Sequence, residues 1–133
     1  REQTVSIAKV LLGVLSVPSS FVQAKILLNL ARCHLQLADM EAGHDLRRSS
    51  AYRKASILAC SLALTCHDYY HQHYECDESS SSDANDTAES SEAAAIAIAE
   101  FPMKARYIRA RSYVDGGKYQ HARADLRAIL KRD

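Results

Sequence analysis

The chain has 133 residues, with 17 Lys and Arg against 16 Asp and Glu, and contains four Gly and two Pro. That size supports one domain with one modest core, and so little Gly and Pro excludes a turn-rich β-fold in favour of helices. The net charge of +1 hides a segregation: residues 75–100 hold eight acids (Glu75, Asp77, Glu78, Asp83, Asp86, Glu89, Glu92, Glu100) and no Lys or Arg, leaving the rest of the chain strongly basic.

Residues 3–16, QTVSIAKVLLGVLS, place Val5, Ala8, Leu11, Leu12 and Leu15 at helical spacing, which predicts an amphipathic helix. Pro18 then breaks the pattern, because the residue before a proline is pushed out of the helical region. A second helix is expected over about Phe21 to Leu37, carrying Ala24, Leu27, Leu28, Ala31 and Leu35 on one side. Residues 40–51 read as a polar loop around Gly43, with Ser49 or Ser50 capping a third helix through Tyr70. Residues 77–92, DESSSSDANDTAESSE, combine negative charge with no aromatic residue and no periodicity, the composition of a disordered insertion. AAAIAIAEF reads as a short helix ending before Pro102, followed by helices over about Met103–Asp115 and Tyr119–Lys131 around a Gly116-Gly117 turn. The expected fold is all-α.

The order of small and aromatic residues in the last pair (Ala110, Tyr113, Gly117, Tyr119, Ala122) resembles the tetratricopeptide repeat, in which small residues let two antiparallel helices approach and Gly makes the turn between them. KILLNLARCHLQLADM and YRKA align as the two helices of a preceding repeat, and residues 3–16 as the second helix of one before that. On this resemblance the chain is one partial domain: residues 3–16, a second repeat over 21–70, the insertion over 77–92 and a third repeat over 103–133. The resemblance implies helical hairpins stacked in a right-handed superhelix. The chain opens at Arg1 and stops on a helical pattern, which reads as part of a longer protein.

Within that family the segments LLNLARCHLQL and KARYIRARSYVDGGKYQHARADLRAIL are similar to co-chaperones, especially the large immunophilins. Those proteins bind acidic chaperone C-termini through a carboxylate clamp. The resemblance places Asn29 and Lys104 at clamp positions, while Ile108 stands where a clamp arginine belongs. Arg109 matches the next arginine, which points elsewhere. Lys25 and Arg32 lie one turn either side of Asn29, and Arg111 extends the strip on the last pair. The implied ligand-contacting set is therefore Lys25, Asn29, Arg32, Lys104, Ile108 and Arg111. The implied partner is a protein with an acidic C-terminal tail, a heat-shock chaperone being one such. A longer parent carrying a prolyl isomerase domain is a further implication. The acidic insertion is also a candidate competitor for the same basic strip.

Two other readings stand beside this one. The repeat can be a structural scaffold that binds no tail. Alternatively, CHDYYHQHYEC gathers Cys66, His67, His71, His73 and Cys76, with His67 and His71 four apart on a helix, as in some zinc sites. Cys33, Cys60 and Cys66 sit in apolar helical patterns and read as buried reduced thiols. No phosphate loop, nucleophile elbow or carboxylate pair supports catalysis, and no motif implies a cofactor. The aromatics occupy packing positions rather than interleaving with basic residues, which argues against nucleic acid. No apolar run is of membrane-spanning length and no signal peptide is recognisable, so the expected location is cytoplasmic or nucleocytoplasmic.

Overall fold

A computed structural model describes residues 21–74 and 88–131, which form α1 (Phe21–Glu41), α2 (Leu46–Tyr74), α3 (Ala88–Asp115) and α4 (Tyr119–Leu130). Among the described residues there is no strand, as the composition predicted. The expected helix over residues 3–16 and residues 77–87 of the acidic segment lie outside the described residues.

The first hairpin is built on two rows of small residues. On α1, Ala24, Ala31 and Ala38 recur every seven positions, and on α2 so do Ser49, Ser56 and Ala63; all six are buried. With no bulk on either side the two backbones come close enough for side chain to reach main chain. Ser49 Oγ donates to the Ala38 carbonyl at 2.8 Å and Ser56 Oγ to the Ala31 carbonyl at 2.9 Å. These two bonds, with the later residue of α2 meeting the earlier residue of α1, fix an antiparallel pair. Leu27, Leu28 and Leu35 flank the seam and supply the apolar mass, at about 1.5–3 kcal/mol each.

Ser49 is therefore a packing residue and not the cap expected from the sequence. The cap of α2 is Asp45, whose Oδ1 accepts from the backbone N–H groups of Arg47 and Arg48 at 3.0 and 3.2 Å. Because both helices run further than their periodicity suggested, the expected loop over 40–51 shrinks to residues 42–45.

The third helix departs furthest from expectation. α3 continues through Pro102 instead of restarting at Met103, and it takes in residues 88–92 that were read as part of the insertion. A proline inside a helix has no N–H for the carbonyl four residues back and normally leaves it orphaned. Here that carbonyl belongs to Ile98, and His67 Nε2 of α2 lies 2.8 Å from it. The His67 ring stacks on Phe101 at 5.3 Å between centroids, and Phe21 closes edge-on against both rings. A neighbouring helix thus supplies the donor that proline removes, and the helix passes unbroken.

α3 packs antiparallel to α2, through His67 against Ile98 at one end and Ser112 Oγ donating to Ser56 Oγ at 3.3 Å towards the other. It consequently runs parallel to α1, with Phe21 against Phe101 and Asp39 against Arg111. α3 ends on Gly117, whose φ of 77° is left-handed. Lys118 N–H bonds the Tyr113 carbonyl at 2.8 Å and Gly117 N–H that of Val114 at 3.0 Å, the paired bonds of a Schellman motif. The chain then reverses into α4, which is held through Arg109. This guanidinium donates from Nε to Asp125 Oδ2 at 2.8 Å, from Nη2 to Asp125 Oδ1, and from Nη1 to Ser61 Oγ at 3.1 Å. One side chain of α3 so joins α4 to α2.

Candidate functional site

Because α1 and α3 run parallel, their exposed flanks form the two walls of one groove. It has a volume of about 480 Å³ and is lined by Arg32, Leu35, Gln36 and Asp39 of α1 and by Lys104, Tyr107, Ile108 and Arg111 of α3. The spacing explains the lining. Residues 32, 35, 36 and 39 share one face of α1, and 104, 107, 108 and 111 share one face of α3. Leu35 and Ile108 are almost fully buried and form the floor, whereas the charged side chains stand at the rim.

Four of the six residues expected to contact ligand, Arg32, Lys104, Ile108 and Arg111, come together in this groove. Lys25 and Asn29 are not part of its lining. The Lys25 ammonium sits 4.7 Å from the centroid of the Phe21 ring, a cation–π contact within its own helix. Asn29 Oδ1 lies 3.5 Å from Arg32 Nη1, where it steadies the guanidinium beside the groove.

Two acids that the sequence reading passed over temper the basic strip. Asp39 Oδ2 accepts from Arg111 Nη2 at 2.8 Å, and Glu100 Oε2 lies 3.9 Å from Lys104 Nζ. Both pairs are about half exposed and so contribute little to stability, about 0–1 kcal/mol each. Their consequence is positional: Arg111 is held against α1, and Lys104 keeps a neighbouring counter-charge. Asp39 lies seven residues beyond Arg32, so continuing the strip by two more turns would have found it. Tyr107, more than half exposed at the rim, follows Lys104 on the same wall.

Ile108 has a structural reason to be apolar. It packs in the core cluster with Leu28, Leu35, Ala105 and Phe101, where an arginine would bury its charge against leucine. Arg109, one residue on, points to the opposite side and is committed to Asp125. The hydrogen bonds to that carboxylate hold its already high pKa higher still.

The cysteine and histidine cluster resolves differently from a metal site. Among the described residues no group of three His, Cys, Asp or Glu side chains could hold an ion. His67 is buried with Nε2 against the Ile98 carbonyl, and its ring stacks on His71 at 6.0 Å. Nothing of the His73 side chain or of Cys76 belongs to the described residues. Cys60 lies in the core, where burial pushes its thiol up to about 12 despite the opposing pull of Arg109. Burial raises the Cys66 thiol as well. Thiols so shifted are almost wholly protonated at neutral pH and chemically quiet.

Comparison with known proteins returns no match: no family model, curated protein or solved structure is similar to this chain. No helix among the described residues is long and apolar enough to cross a membrane.

Proposed function

We propose that this chain is a helical-repeat interaction module, of the tetratricopeptide type, that holds an acidic extended segment of a partner protein between α1 and α3. The observation that carries the reading is the convergence of Arg32, Lys104 and Arg111 on one groove whose floor is Leu35 and Ile108. Parallel first helices of successive hairpins, small residues at the hairpin seam and a Gly turn support the repeat assignment.

The groove's chemistry narrows the ligand. A carboxylate alone would be served by a fully charged floor; an apolar floor ringed by cations suits an acidic residue adjacent to an aliphatic one. Such a segment gains charge-assisted hydrogen bonds at the rim and buries a methyl-bearing side chain on Ile108. A peptide ending in Glu-Glu-Val-Asp has this pattern and connects the groove to acidic chaperone tails, the partner class implied by the resemblance. Ile108 in place of a clamp arginine shifts the balance from charge towards apolar contact. An arrangement of this kind binds and does not catalyse.

The chain's own acidic insertion is poorly placed to fill the groove. Lys104 lies 16 residues along α3 from Ala88, about 24 Å on the helix axis, and the return to Tyr74 is of similar length. The 13 intervening residues span at most about 45 Å, so they reach the groove's near edge only when fully stretched. An acidic ligand supplied by another molecule pays no such tether.

Titration of a fluorescently labelled peptide ending in Glu-Glu-Val-Asp tests the proposal. Binding should weaken with salt, and Lys104→Ala should weaken it about fivefold, the effect of a half-exposed charge pair of about 1 kcal/mol. No binding at sub-millimolar peptide removes the proposal and leaves the scaffold reading.

A further inference from the structure

The face of α1 that points away from the core is apolar where a solvent face should be polar. Val22, Ile26, Leu37 and Met40 are 60%, 52%, 38% and 69% exposed, and Cys33 is exposed between them. Their spacing of 4, 7, 4 and 3 residues puts all five on one stripe, with partly buried Leu30 along its edge. The stripe lies opposite Ala24, Ala31 and Ala38, and it is separate from the groove face of Arg32, Gln36 and Asp39. An apolar stripe over five turns marks a surface that another element covers.

We infer that residues 3–16 of this chain form that element, docking as an antiparallel helix on the α1 stripe. Three observations select this occupant. Val5, Ala8, Leu11, Leu12 and Leu15 give the segment one apolar face of matching kind. Its 14 residues make a helix of about 21 Å, close to the rise from Val22 to Leu37. Only residues 17–20 separate it from Phe21, a connection of ordinary length for a helical hairpin, and Pro18 within it cannot extend either helix. That tether gives the segment an effective concentration in the millimolar range, which a second copy of the chain does not match at ordinary protein concentrations. In this register Leu15 faces the Val22 end, and the segment's first turns cover Cys33. The groove reading is not needed for this inference, and either can fail without the other.

Cys33 reports the docking directly. Among the described residues Cys33 is exposed while Cys60 and Cys66 are buried, so maleimide labelling followed by peptide mapping reads cover and core separately. In the full chain Cys33 should label at least about tenfold more slowly than in a Leu11→Glu/Leu12→Glu variant, with Cys60 and Cys66 protected in both. Should the variant also open Cys60 and Cys66, the comparison is made between the native chain and the same chain unfolded in urea. A native Cys33 that labels as fast as the unfolded one overturns the inference. So does protection that disappears on dilution, which would assign the stripe to a second copy.

Discussion

Asp39 sets how much of the groove's positive charge a ligand can use. Its carboxylate occupies the Arg111 guanidinium at 2.8 Å, and any acidic ligand must compete for that bond and bear the repulsion of a like charge. Asp39→Asn should therefore raise affinity for an acidic peptide about two- to fivefold, in keeping with the small worth of an exposed pair. Binding that is unchanged or weaker in a low-salt titration would mean that Arg111 does not meet the ligand. His67 plays the complementary part in stability, because its ring nitrogen serves the carbonyl that Pro102 leaves free. His67→Phe keeps the stack on Phe101 but orphans the Ile98 carbonyl, at about 1–3 kcal/mol. Pro102→Ala restores the intrahelical N–H, so in that background the same change should cost at least about 1 kcal/mol less. Urea unfolding of the four proteins gives the coupling, and additive losses would disconnect the two residues.

At the scale of elements, α4 is a short helix whose attachment depends heavily on one charge pair. Asp125 is 4% exposed and is satisfied by Arg109 through two hydrogen bonds. Arg109→Leu leaves that carboxylate buried without its partner and should cost about 3–5 kcal/mol, a large part of the stability of a domain this size. Arg109→Leu/Asp125→Asn should recover part of it, and a single-variant loss below about 1 kcal/mol by urea unfolding would contradict the assignment. The helices themselves were mostly legible in the sequence, since alternation of apolar residues at three and four positions survives in α1, α2 and α4. Their ends were not. Asp45 caps α2 four residues before the serines that looked like caps, and Ser49 was free to pack only because α2 had already begun. Pro102 was read as a boundary because its remedy, His67, is 35 residues away and belongs to another helix. The same holds for the site: Arg32, Lys104, Ile108 and Arg111 follow from spacing along single helices, whereas their pairing with Asp39 and Glu100 depends on rotamers and on how α1 and α3 lie together.

Over the whole molecule, charge is separated by position: the acids of residues 75–100 are strung between the second and third helices, while basic residues line the groove. The tether lengths keep the two largely apart, so the insertion is better suited to repel acidic competitors non-specifically than to occupy the groove. What remains is a cationic groove with an aliphatic floor, open to a partner segment in which an acidic residue stands beside an apolar one. The most direct measurement is a two-dimensional amide NMR titration of the full chain with a peptide ending in Glu-Glu-Val-Asp. The account predicts salt-sensitive shift changes concentrated in residues 32–39 and 104–111, weakened by Lys104→Ala. Shifts absent at millimolar peptide, or gathered away from those two segments, would contradict it.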